Sequence, residues 1–130
     1  FDENDRKRMH QMIRHTLDQI TQEHQASYDL NILQGFPVVM NDEELTERCK
    51  DLAETLSVVT KVYDLPIRMG AEDFGYYTQL IPASFYRVGV GNKAQGITSP
   101  IHSPTFNIDE SALKVSMSLM SLFAAAYLND

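Results

Sequence analysis

Met9, Met12, Ile13, Leu17 and Ile20 recur at steps of three and four, which gathers them on one face of a helix. Asp2 and Asn4 are both placed to cap its start, where acidic groups also suit the helix dipole. Arg6, Lys7, Arg14, Asp18 and Glu23 fill the opposite face, so the helix is expected to lie on something apolar. The period then changes to two. Ala26, Tyr28, Leu30 and Ile32 alternate with Ser27, Asp29 and Asn31, the pattern of a half-buried strand. Gly35-Phe36-Pro37 interrupts it, and Val38-Val39-Met40 resumes an extended run.

Asn41-Asp42-Glu43-Glu44 opens a second predicted helix. Asn41 or Asp42 serves as N-cap, with Glu44 near the reciprocal position of a capping box. Leu45, Cys49, Leu52, Ala53 and Leu56 form its apolar stripe. Residues 58–62 are rich in β-branched side chains and predict a strand. Pro66 and Gly70 bracket a loop. A short helix is expected over 72–80, with Phe74, Tyr77 and Leu80 on one side and Pro82 ending it. Another strand is expected over 84–90, stopped by Gly91-Asn92. Residues 92–107 carry Gly, Pro, Ser and Thr and read as a long irregular loop. Asn107 or Asp109 caps a last helix running to about Leu128. That helix is apolar almost all round, as befits one buried in a large core. From Asn41 onward the order is helix, strand, helix, strand, helix, which favours a layered α/β domain. The segment before it is too small to stand alone, because two strands without partners are marginal.

Bulk properties narrow the options. Eleven basic against eighteen acidic residues give a net charge of −7, which disfavours nucleic acid and anionic membrane surfaces as partners. A single cysteine, Cys49, excludes an internal disulfide and fits a reducing, cytoplasmic compartment. The longest apolar stretch, around residues 119–128, is expected to be too short to span a bilayer. The polar, acidic start does not look like a signal peptide. A first residue of Phe rather than Met points to a processed product or a piece of a longer chain; a removed start Met is the plain alternative, which a large Phe at the second position disfavours.

The candidate chemistry is sparse. A loop as long as 92–107 inside a compact domain is often functional. It holds one side chain suited to metal or proton work, His102, in Ser99-Pro100-Ile101-His102-Ser103-Pro104. The flanking prolines stiffen the backbone and lower the entropy lost in holding the imidazole; a solvated loop histidine is the plain alternative. A second candidate is Met69-Gly70-Ala71-Glu72-Asp73-Phe74. Gly70 lets the backbone approach a ligand, and free N–H groups at the following helix start could bind a carboxylate. Glu72 and Asp73 could equally do no more than complement the helix dipole. His10, His15 and His24 are not three or four apart and form no paired metal face. Glu43 and Glu44 are neighbours that do not face each other. Cys49 sits on an apolar stripe as a core residue. The sequence has no His-Glu-x-x-His, no paired cysteines, no serine nucleophile elbow and no phosphate loop.

Three segments in order resemble one family: Gly35-Phe36-Pro37-Val38-Val39-Met40-Asn41-Asp42, then Met69-Gly70-Ala71-Glu72-Asp73-Phe74, then Ile101-His102-Ser103-Pro104 before the final apolar helix. Together they look like the C-terminal portion of the amidohydrolase branch of the aminoacylase and carboxypeptidase metallopeptidases, the branch of hippurate hydrolase and the auxin-conjugate hydrolases. The resemblance covers essentially the whole chain. It implies a layered α/β catalytic domain with a dinuclear metal centre, interrupted by an inserted α+β lid that often dimerises. Residues 1–40 would be the last helix and strand of that lid, and residues 41–130 the C-terminal segment of the catalytic domain. His102 matches the metal-ligand histidine of the family's His-Ser-Pro motif. Gly70, Ala71 and Glu72 match a segment beside the active site and are carried over as lining the substrate site. Two divalent ions per complete site are implied, Zn or Mn, with Ni or Co as further options.

The family's other ligands and its catalytic Glu precede the point where this chain begins, so no catalytic residue is assigned and the chain alone is expected to be inactive. Its implied partners are an N-acyl amino acid or peptide substrate, the missing N-terminal part of the same enzyme, and a second copy of the parent. The competing reading is a non-catalytic α/β binding or oligomerisation module. The two differ at Met9, Ile13, Leu17 and Ile20. A self-contained module should bury that face, and a piece of a larger enzyme should leave it bare.

Overall fold

A computed structural model describes residues 2–129. Its helices are α1 (Glu3–Glu23), α2 (Glu43–Glu54), α3 (Gly75–Thr78) and α4 (Ser111–Leu128), with one 3-10 turn at Lys93–Gln95. The chain divides into two compact units, Phe1–Met40 with Arg68–Ile81, and Asn41–Ile67 with Pro82–Asp130.

In the first unit, the expected cap of α1 is Asp2, whose carboxylate accepts from the Asn4 N–H at 2.7 Å. The helix ends without glycine. Gln25 adopts the left-handed region at φ 52, and the Ala26 N–H reaches back to the Thr21 carbonyl at 3.0 Å, an arrangement that satisfies an orphan carbonyl at a helix end. Arg6 and Glu3 pair with each other and both grip the Gly35-Phe36-Pro37 segment. Arg6 Nη1 donates to the Phe36 carbonyl at 3.3 Å, and Glu3 Oε1 accepts from the Val38 N–H at 3.2 Å. The other side of that segment meets α3. Phe36 packs edge-on against Tyr76 at 6.0 Å, and Gln79 Nε2 donates to the Val38 carbonyl at 3.1 Å. A Cβ built on Gly75 would lie 2.4 Å from the Pro37 carbonyl oxygen. Only glycine permits that approach.

In the second unit, Asp42 rather than Asn41 caps α2, accepting from the Leu45 N–H at 2.9 Å. Asn41 has a different task. Its amide donates to the Phe85 carbonyl at 3.0 Å and accepts from the Phe85 N–H at 2.8 Å, occupying both backbone groups of one residue as a neighbouring strand would. The Asp42 N–H donates to the Ala83 carbonyl at 2.8 Å, and the Thr46 and Ser84 hydroxyls meet at 3.0 Å. Helices α2 and α4 pack together, and Ala53 on α2 and Ala112 and Leu119 on α4 are buried. Arg48 on α2 donates to the Ala126 carbonyl in the last turn of α4 at 2.8 Å, placing a cation where the helix dipole is negative. Tyr86 stands edge-on to Phe123 at 5.5 Å. Cys49 lies among these groups, and its thiol is pushed up by burial, opposed by Arg48.

Three expectations differ from the structure. None of the segments read as strands (26–32, 38–40, 58–62 and 84–90) forms one among the described residues, and the α/β layering is not seen. A strand exists through its ladder of bonds to a neighbour, and among the described residues the lone antiparallel bridge is Asn92–Ile97. The third helix is shorter than expected, four residues at Gly75–Thr78, because residues 72–74 form a turn in which the Glu72 carbonyl accepts from the Gly75 N–H at 3.2 Å. The last helix has the expected extent and lacks the expected cover: Leu119 is 7% exposed but Met117 is 71% exposed. By length and composition α4 is also apolar enough to cross a membrane. This corrects the short-stretch reading, which stopped at residue 119 although the apolar run continues back through Val115 and Leu113.

The surface area agrees with the bare helices. The chain exposes 10800 Å², whereas a compact protein of 14.8 kDa exposes roughly 7000 Å² and even two separate domains of these sizes roughly 8400 Å².

Replacing Gly75 by Ala in the full-length protein is expected to cost about 1–3 kcal/mol, as overpacking does. Thermal unfolding checks the cost, and faster amide exchange over residues 36–40 checks its place. A variant of unchanged stability contradicts the close approach. Asn41→Ala, which strips both backbone groups of Phe85 of their partner, is expected to cost about 1 kcal/mol, read as earlier denaturant unfolding.

Candidate functional site

The loop carrying His102 is closed at its base by two hydrogen bonds to Asp109. The Asp109 N–H donates to the Val90 carbonyl at 2.8 Å, and Asn92 Nδ2 donates to Asp109 Oδ2 at 2.6 Å. The other Asp109 oxygen accepts from the Ser111 N–H at 3.0 Å, so Asp109 closes the loop and holds the first N–H of α4 with one carboxylate; the N-cap position itself is Glu110, which makes no side-chain cap bond, and not the expected Asn107 or Asp109. Asn92 is equally occupied. Its Oδ1 accepts from the Ala94 and Gln95 N–H groups at 3.1 and 3.3 Å, while its backbone exchanges two bonds of 2.9 Å with Ile97. Gly96, at φ 74, turns the chain between them.

Beyond this base the loop is tied by hydroxyls. Ser99 Oγ and Thr105 Oγ1 lie 2.9 Å apart, Ser103 Oγ approaches Thr105 Oγ1 at 3.4 Å, and the Phe106 N–H donates to the Ser103 carbonyl at 3.1 Å. His102 stands on the turn so formed, exposed and with φ 62. A histidine in the left-handed region is uncommon and costs of order 1 kcal/mol. Such strain persists where the surroundings impose it and clusters at functional sites. Pro100 and Pro104 stiffen the chain on either side, and the hydroxyl ties hold the turn.

Gly70, Ala71 and Glu72 belong to the first unit and His102 to the second. Gly70 and Ala71 are exposed, and a Cβ at Gly70 would meet nothing within 4 Å, so within this chain no close approach demands that glycine. Glu72 Oε1 accepts from the Phe74 N–H at 3.3 Å, the local role of an acidic group before a helix start. An exposed imidazole is chemically suited to be one donor to a divalent ion. Among the described residues no group of three His, Cys, Asp or Glu side chains could complete such a site, so no step of a reaction can be drawn through a metal held by this chain alone. His10 is half-buried and His15 and His24 are exposed along α1. Sequence reasoning passed over Asn92, taken only as a strand stop, and over the closing role of Asp109. The signal available was an Asx residue at each end of the loop, one before a turn and one before a helix.

Comparison with known proteins decides the family. A model of peptidase family M20/M25/M40 matches residues 5–126. The chain belongs to that family. It is 31% identical over 127 residues, 98% of its length, to YhaA of Bacillus subtilis (strain 168), an amidohydrolase by name. It is 46% identical over 65 residues, half of its length, to the IAA-amino acid hydrolase ILR1-like 6 of Arabidopsis thaliana. To thermostable carboxypeptidase 2 of Saccharolobus solfataricus it is 26% identical over 130 residues, 99% of its length. These relatives place it in the amidohydrolase and auxin-conjugate hydrolase branch. The chain spans 32%, 14% and 32% of their respective lengths, a third or less. No solved structure matches. The matched region includes α4 almost to its end, so in this family member the apolar helix is part of the shared domain.

The Asn92 amide, then the Ser111 hydroxyl and N–H, hold the Asp109 carboxyl below the usual carboxylate range. A lowered folded-state pKa contributes stability that is present above the unfolded value and is lost as pH falls through the folded one. The loop base is therefore expected to loosen on acidification below about pH 4, seen as faster exchange of the Asn92 and Ser111 amides. Asp109→Asn should flatten that acid dependence. Persistence of the wild-type acid transition in the variant contradicts this role.

Proposed function

We propose that the chain is the C-terminal part of a metal-dependent amidohydrolase that cleaves the amide bond of N-acyl amino acids or short peptides. Membership of the peptidase family and the names of its relatives support hydrolysis as the reaction class. The observation that carries the reading to a residue is His102, an imidazole held bare at a strained turn inside the His-Ser-Pro motif. In this reading His102 is one ligand of a centre that binds two divalent ions, Zn or Mn, with Ni or Co as further options. When bound, such ions lower the pKa of a water and polarise the scissile carbonyl. The other ligands and the catalytic Glu come from the rest of the enzyme, so the isolated chain is inactive. Gly70, Ala71 and Glu72 line the substrate site. Residues 1–40 end an inserted lid, and residues 41–130 belong to an α/β catalytic domain whose remaining strands supply the partners that 58–62 and 84–90 lack. The parent is a cytoplasmic homodimer through its lid and binds neither nucleic acid nor membrane.

The competing reading, a self-contained binding or oligomerisation module, loses ground at α1. Met9, Ile13 and Ile20 are 61%, 43% and 49% exposed, and the apolar concavity there is lined by Met9, Met12, Ile13, Thr16 and Leu17 of that one helix. A module folding for its own sake should have buried that stripe.

The test is amino-acid release from a panel of N-acyl amino acids by the full-length parent, with and without added Mn²⁺ or Zn²⁺. Metal-dependent release is expected, falling at least tenfold in His102→Ala, a loss of about 1.4 kcal/mol of transition-state stabilisation. A folded, metal-supplied parent that releases nothing returns the account to the non-catalytic module.

A further inference from the structure

We propose that the Asn92–Asp109 pair is a positioning latch for His102, fixing the imidazole for metal binding without touching it. The inference rests on His102 being a metal ligand and adds what holds it. Three observations lead to it. The pair joins residues 17 apart in sequence at the neck of the loop, through a 2.6 Å bond from Asn92 Nδ2 to Asp109 Oδ2. Each partner is anchored on its own side, Asn92 to the Ala94 and Gln95 N–H groups and Asp109 to the Val90 carbonyl and the Ser111 N–H. Between them the chain is held at φ 62 at His102, a conformation a free loop would relax.

An imidazole on an unlatched loop would sample many orientations, and binding would have to stop that motion at an entropic cost. A closed neck removes the cost in advance. α4 starts directly from the latch at Ser111, so the loop is referred to a long helix and not to another loop. The hydroxyl ties among Ser99, Ser103 and Thr105 then hold the tip, but they are short-range and cannot fix the tip relative to the helix. The Asn92–Asp109 bond, with the Asp109–Val90 backbone bond beside it, closes the neck onto that helix. Partners bonded directly to a metal ligand typically carry about 10–100-fold of affinity, and a latch acting only through the backbone belongs at the low end of that range.

The test uses the full-length, Co²⁺-loaded parent and reads the visible absorption of the bound ion and its affinity against a chelator. The variants are Asn92→Asp, Asp109→Asn, the exchanged pair carrying both, and His102→Ala. Asn92→Asp sets two carboxylates together and is expected to weaken one Co²⁺ by about tenfold and alter its spectrum. The exchanged pair restores an amide–carboxylate bond in reverse, keeps both anchoring acceptors, and is expected to recover affinity and spectrum. His102→Ala should remove the same ion outright. Metal-free unfolding temperatures separate a general loss of fold from loss of the site. Native affinity in Asn92→Asp, or an exchanged pair no better than that single variant, overturns the latch. An unaltered His102→Ala overturns the ligand reading beneath it, and the latch falls with it. If Asn92→Asp fails to fold, the exchanged pair alone decides.

Discussion

Scarcity of buried apolar surface governs this structure. Burial supplies most of the favourable free energy of folding, yet among the described residues the well-buried side chains are small, Ala53, Ala83 and Ala112, with Leu119 the one large member. What gives the units definition is polar and local. Asp2 and Asp42 cap two helices, and Asp109 holds the first N–H of a third. Arg6 and Glu3 clasp one segment, and Asn41 stands in for a strand at Phe85. Such bonds contribute about 1 kcal/mol each and specify geometry better than they resist unfolding. The same scarcity explains why α1 and α4 form as expected but remain bare, and why the β-rich segments find no ladder.

That constraint also shapes the candidate site. A site built on a packed core can hold a side chain by contact on all sides. Here His102 is held through its backbone, by flanking prolines, hydroxyl ties and a closed neck, with the imidazole left uncovered. The arrangement suits a group awaiting partners from elsewhere. Family membership gives that a chemical meaning, since the chain spans a third or less of hydrolases whose sequences continue beyond it.

What could be read from the sequence is what depends on near neighbours. The spacing of Met9 to Ile20 and the acids before Leu45 and Ser111 are local signals, and the helices follow them closely. The short α3 departs because Glu72 turns back on Phe74 and Gly75, a competition between side chain and backbone that periodicity does not register. The strands fail to form for a different reason: alternation in residues 26–32 and β-branched side chains in 58–62 state a preference, and pairing needs a second strand that the described residues do not offer. In the site, the His-Ser-Pro motif singled out His102. The left-handed backbone there is set by residues that meet only in three dimensions, and so is the joining of Asn92 to Asp109.

The account stands on one claim, that this chain is a part whose bare faces are covered in the whole enzyme. Amide hydrogen exchange on the 130-residue chain alone and on the same residues within the full-length protein tests it most directly. The account predicts strong added protection in the full-length protein over residues 58–62 and 84–90 and along α1 and α4. Equal protection of those segments in the two samples would contradict it.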